Sequence, residues 1–224
     1  MARRSATIVL LAAAAACSKS TTGPSNDPTA TTLQLVAGDA QTALIGTRLP
    51  APLVVKVLDQ FNNPMAGVGV SFNGNLGGNA SAPVPTDAAG ITQATFTLGT
   101  IAGTVTINVT AGVVAIAAKF TATALAGPPA GLRKLAGDGQ VAAVGSTLTH
   151  PFVIDVKDSH GNNLRGVQVT WTTTATGTLN PSSGTTDATG IAQTTYTLST
   201  TAGVQSITAH VAGLADVTFL ATGS

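Results

Sequence analysis

The chain contains no glutamate, and all nine of its acidic groups are aspartates. Only 8% of its 224 residues are charged, and only 4% are aromatic. General acid–base catalysis needs positioned titratable groups, so this scarcity argues against an enzyme. A single cysteine, Cys17, excludes an intramolecular disulfide, and the fold must rest on packing. The formal charge is +1; without Arg3 and Arg4 it is −1, from eight basic against nine acidic groups. No basic patch is available for a phosphate backbone, which excludes nucleic acid as a partner. The longest apolar run, residues 6–16, has 11 residues, whereas a membrane-spanning helix needs about 20.

What the chain has in quantity is Thr, Ala, Gly and Val. Thr and Val suit strands, because branching at Cβ fits a pleated, half-buried surface. Gly and Pro interrupt at short intervals, as many short strands and turns require.

The strongest signal is an internal repeat. Residues 86–103 read TDAAGITQATFTLGTIAG and residues 186–203 read TDATGIAQTTYTLSTTAG, identical at 12 of 18 positions. Upstream, residues 33–72 align with 132–171 at a constant offset of 99. Ala37-Gly38-Asp39 recurs as Ala136-Gly137-Asp138, Gln41 as Gln140, Pro52 as Pro151, and Asp59 as Asp158. A period near 100 residues is that of one β-sandwich, long enough to bury its own core. Within each copy apolar residues alternate, as in Val55-Lys56-Val57, and no stretch shows sustained helical periodicity. The expectation is all-β: two tandem immunoglobulin-like β-sandwiches of seven or eight short strands each. Domain 1 spans residues 33–124, a Gly/Pro linker spans 125–131, and domain 2 spans 132–224. With an odd strand count, the ends of each domain lie at opposite poles. The turns at 158–163 and 186–190 then face domain 1, and residues 139–150, 172–180 and 199–203 form the far tip. Trp171, the only tryptophan, stands where domain 1 has Phe72 and is expected in the core.

Met1-Ala2-Arg3-Arg4 followed by the apolar run has the form of a secretory signal peptide, residues 1–16. Ala14-Ala15-Ala16-Cys17 resembles a bacterial lipobox. That resemblance implies cleavage before Cys17, lipidation of Cys17, and a membrane partner held through the lipid. Ser18 after the cysteine leans towards the outer membrane, by resemblance to diderm lipoproteins. Ala14-x-Ala16 equally suits an ordinary signal peptidase, which would leave a secreted protein. Residues 17–32 lack apolar periodicity and read as a disordered tether.

The segments VVKVLDQFNNPMAGVGVSF and VIDVKDSHGNNLRGVQVTW, with the two TDA-containing stretches, resemble the bacterial Ig-like domain of the Big-1 type. The resemblance implies an Ig-like fold and a place among the surface stalks of intimin- and invasin-like adhesins. Its motifs are turn and core residues, so it implies fold far better than ligand.

Candidate sites are few. Asp158, Asn162, Asn163 and Asp187 bring oxygens towards the joint, as calcium requires, but the same residues are ordinary turn formers. His150, His160 and His210 have no paired metal-ligand spacing. No catalytic, cofactor-binding or metal residue is assigned. The remaining candidate is the far tip, where Thr172, Thr173, Thr174, Thr176 and Thr178 offer hydroxyls to a glycan or an envelope protein. The leading expectation is a non-enzymatic spacer or adhesion-type module; the alternative is a glycan- or protein-binding module using those loops.

Overall fold

The computed structural model describes residues 27–82, 84–112 and 116–224. The signal peptide, Cys17 and residues 18–26 of the expected tether lie outside the described residues. No described helix is long and apolar enough to cross a membrane.

Among the described residues, domain 1 contains nine strands: β1 (Ala30–Ala37), β2 (Gln41–Leu44), β3 (Leu53–Asp59), β4 (Val70–Gly74), β5 (Gly78–Ala80), β6 (Ile91–Ala94), β7 (Phe96–Leu98), β8 (Gly103–Ala111) and β9 (Ile116–Leu125). One layer is β1-β3-β6, with β7 continuing β6 and pairing with β5. The other layer is β2-β9-β8-β4. Domain 2 repeats the plan with β10 (Gly131–Ala136), β11 (Gln140–Ala142), β12 (Phe152–Lys157), β13 (Gln168–Thr173), β14 (Thr178–Asn180), β15 (Ser183–Thr185), β16 (Ile191–Thr197), β17 (Gly203–His210) and β18 (Val217–Gly223). Its layers are β10-β12-β16-β14 and β11-β18-β17-β13-β15; β15, at the edge beside β13, has no counterpart among the described strands of domain 1. Most pairings are antiparallel, but β2 runs parallel to β9, and β11 to β18.

The two-residue period explains the layers. Leu53, Val55 and Val57 of β3 face Val105, Ile107 and Val109 of β8, and all are fully buried. Domain 2 buries Phe152, Ile154 and Val156 against Ile207, Ala209 and Phe219. Each Val, Leu, Ile or Phe among these contributes roughly 1.5–3 kcal/mol on burial. Trp171 is buried as expected and packs on Phe219 at 6.0 Å between ring centroids. The two buried clusters share no residue.

The repeated polar residues prove to be staples. Thr86 donates its hydroxyl to Met65 O and accepts from Val68 N; Thr186 does the same with Leu164 O and Val167 N. Asp87 Oδ1 then accepts from Ala89 N and Ile91 N, and Asp187 Oδ1 from Thr189 N and Ile191 N. Gly90, at φ +72°, closes this turn so tightly that a Cβ would lie 2.6 Å from Val57 O. The Ala-Gly-Asp motif and Gln41 work as a second unit. Gln41 donates to Gly38 O and Ala51 O and accepts from Ala51 N, and Gln140 repeats the first pair on Gly137 O and His150 O. Asp39 Oδ1 accepts from Thr121 N, tying the start of β2 to β9.

Four features differ from the sequence reading. Each domain has nine strands among the described residues, not seven or eight, because short backbone-paired strands join those that alternation marks. β1 opens at Ala30, inside the stretch assigned to the tether, because the polar run Thr29–Thr32 pairs through its backbone and shows no alternation. β2 and β11 are short edge strands of four and three residues, below the length at which alternation registers. β5 lies within the expected Gly/Asn loop, where backbone pairing with β7 needs no apolar side chain.

Candidate functional site

The joint between the domains carries a polar cluster. It is built on the turn at residues 158–163. Asp158 N donates to Asn162 O and Gly161 N to Asp158 O, with Gly161 at φ +85°. Domain 1 makes the same turn from Asp59 to Asn63, with Asn62 at φ +64°. Asparagine tolerates that left-handed conformation better than most residues.

In domain 2 the turn is turned outward to domain 1. Asp158 Oδ1 accepts from His160 N and Asn162 N, both at 2.9 Å. Its Oδ2 accepts from Asn162 Nδ2 at 2.8 Å and from the linker's Gly127 N at 3.0 Å. Burial alone would raise the Asp158 pKa, but the donors from the Asn162 side chain, Gly127, the Asn162 backbone and His160 outweigh it and hold the carboxyl at about 2. The Asn162 amide then crosses the joint. Nδ2 donates to Thr100 O and Oδ1 accepts from Ala102 N, each at 2.9 Å. Gly127 passes over Ile45, whose Cδ1 lies 4.0 Å from where a Gly127 Cβ would be.

This arrangement ties the two domains together through hydrogen bonds. Both Asp158 oxygens are filled by N–H donors, the wrong partners for a cation. Among the described residues no group of three or more His, Cys or Asp side chains is arranged to hold a metal ion. The bonds that cross the joint run from Asn162 to Thr100 O and Ala102 N. Thr186 and Asp187 are spent inside domain 2. Asn163 forms only an isolated bridge with Lys157. The three histidines stay apart; His210 Nδ1 lies 2.6 Å from Asp216 Oδ1, while His150 and His160 contribute backbone groups to turns.

At the far tip, Thr172, Thr174, Thr176 and Thr178 are exposed, whereas Thr173 is half-buried with its hydroxyl 3.0 Å from the Tyr196 hydroxyl. The surface grooves of about 310–410 Å³ are lined elsewhere and include none of these threonines. The recurrence of Asn63 as Asn162 pointed to a shared turn; nothing in the sequence pointed to the amide crossing between domains.

With fold and joint in place, relatives can be compared. Residues 137–220 match the family model of the Bacterial Ig-like domain (group 1). Domain 1 repeats the turn staples of this segment at an offset of about 100 residues, and its strand order apart from the edge strand β15. Among solved structures the chain is similar to InvD of Yersinia pseudotuberculosis, at 21% identity and a TM-score of 0.56, covering 86% of this chain and 57% of that one. It is also similar to the adhesin InvE of the same organism, at 19% identity and TM-score 0.42, covering 90% and 62%. The Escherichia coli adhesin FdeC gives 19% and 0.46, covering 85% and 63%. The chain thus spans about three fifths of the length of these proteins, and the likeness is one of fold. No curated protein matches the chain.

Proposed function

We propose that this chain is an exported, lipid-anchored surface protein in which two Ig-like domains act as a non-enzymatic spacer of the adhesion type. The observation that carries the reading is the joint. A flexible pair of binding modules needs only a linker, whereas here Asn162 spans two backbone groups of the neighbouring domain. A spacer holds a distance, and a joint of this kind fixes one. The match of residues 137–220 to the Bacterial Ig-like domain (group 1) supports the surface setting. The signal-like start and Cys17 support export and anchoring, in the outer membrane or at the cell surface. The carboxylates supply turn staples, which supports the non-enzymatic reading.

The test is a length measurement with a binding control. Small-angle scattering of the chain gives one extended species for a spacer, and a broad distribution of separations would defeat the reading. In parallel, Thr172, Thr174, Thr176 and Thr178 are replaced by alanine and the protein is presented to a glycan array and to envelope extracts. A spacer shows no change. Loss of a specific signal supports the second reading, a glycan or protein binder at the far tip, whose exposed hydroxyls favour it.

A further inference from the structure

The joint has two halves, a plug and a seat, and each half exists a second time. The plug is the Asp-x-x-x-Asn turn, present at Asp158–Asn162 and again at Asp59–Asn63. The seat is the loop after β7, which offers Thr100 O and Ala102 N to the amide. In domain 2 the loop after β16 offers Thr200 O and Ala202 N in the same register of the repeat. Among the described residues these two groups have no hydrogen-bond partner.

The second seat is built like the first. Gly46 N donates to Gly99 O at 2.9 Å, and Gly145 N to Ser199 O at 3.0 Å. Ile45 N donates to Leu125 O, and Val144 N to Ser224 O. Exposure separates the used copy from the unused one. Ile45 under the joint is 9% exposed, while its counterpart Val144 is 37% exposed. Ala102 and Asn162 are half-buried, whereas Ala202 and Asn63 are exposed. The spare plug is likewise preformed: Asp59 Oδ1 accepts from Phe61 N and Asn63 N, both at 2.8 Å. Its amide is held less closely, with Asn63 Nδ2 at 3.3 Å from Asp59 Oδ2. Pro28 stands where domain 2 has Gly127 and has no N–H to donate.

We propose that, in molecules free of the lipid anchor, the Thr200–Ala202 seat of one molecule takes the Asp59–Asn63 turn of a second copy, stacking the chains head to tail; in anchored molecules the short tether holds that turn at the membrane, out of reach of a neighbour's far end. The occupant is set by the joint, which shows the same turn on the same loop. Seat and plug sit at opposite ends, so the contact is heterologous and does not close; copies add in a row. Two hydrogen bonds and one aliphatic contact do not offset the lost freedom of two molecules at micromolar concentration. Association belongs to the millimolar range that a short linker supplies inside the chain.

The experiment follows backbone and side-chain amide signals of the full chain by NMR from about 0.05 to 2 mM, the range set by that effective concentration. The Ala202 amide and the Asn63 side chain are expected to shift together, and translational diffusion to slow. Asn63→Ala removes the plug and Ala202→Pro removes the N–H of the seat, so each variant alone stays monomeric. Mixed in equal amounts, the variants associate again, because each retains the half the other lost, and growth stops at a pair. The proposal is overturned if Ala202 and Asn63 do not shift, if association survives either substitution, or if the shifts fall on another face such as Val141, Val204 and Leu220. The two variants alter opposite ends of the molecule, so a folding defect in one leaves the other as the test.

Discussion

The Tyr196 hydroxyl lies 2.8 Å from Gln205 Oε1 in the interior of domain 2, where domain 1 has Phe96 and Val105. Ser199 N and the Thr173 hydroxyl complete the network. The same position in one fold is filled by an apolar pair in one copy and a satisfied polar pair in the other. Gln205→Val strands the Tyr196 hydroxyl with a single partner and is expected to destabilise domain 2 by about 1–3 kcal/mol. Adding Tyr196→Phe, which copies domain 1, recovers part of that loss, since removing both partners leaves less unsatisfied. Denaturant midpoints of the single and double variants check this; a double variant less stable than Gln205→Val would refute it.

Trp171 tests the independence of the two cores. Trp171→Ala removes a buried ring from the Phe219 cluster and is expected to cost about 3–5 kcal/mol. The loss appears only in the transition of domain 2, because no core residue is shared. Calorimetry resolves it: a shift of both transitions by similar amounts would mean one cooperative unit.

Asn162→Ala should loosen the joint while leaving both domains folded. Asp158 Oδ1 keeps its two backbone donors, so the turn persists. Scattering is expected to show a wider range of inter-domain separations than for the unaltered chain. Asn63→Ala, the same change at the other end, leaves that distribution unchanged at low concentration.

Asp158 gives a pH dependence with a definite sign. Its folded pKa, about 2, lies below the ordinary aspartate value of 3.8. The unfolded chain therefore takes up the proton first, so the stabilisation is full above about pH 4 and is lost as pH falls towards 2. Asp158→Asn is expected to lower the melting temperature of domain 2 at pH 7. The gap to the unaltered chain should narrow as pH drops through that window. A gap of constant size down to pH 2 would show that the carboxylate charge contributes nothing.

The sequence reading and the structure agree where side chains alternate and part where backbone alone decides. The facing of the 158–163 turn followed from an odd strand count; the β3 valines and Trp171 were legible, because each is written as a period or a repeat. β2 and β11 were not, being too short for a pattern and held by parallel backbone bonds. Thr173 was read as an outward hydroxyl with its neighbours, yet it lies on the inward face of β13, two residues after Trp171, where its hydroxyl meets that of Tyr196. Thr100 and Ala102 escaped notice because they act through main-chain O and N, which every residue carries and no composition reveals.

The parallel strand β2 sets how each domain answers a pull. β1 enters at one pole, where Pro28 and Ala30 border Gly67 and Gly112, and β9 leaves at the other, beside Ile45. Tension between those poles drags β2 and β9 along their lengths in opposite directions. The bonds between Gln41–Leu44 and Ala122–Leu125 are then loaded in shear, several at once, instead of opening one by one. A module drawn tight between an anchored end and a moving surface would yield at that short seam before its buried layers part.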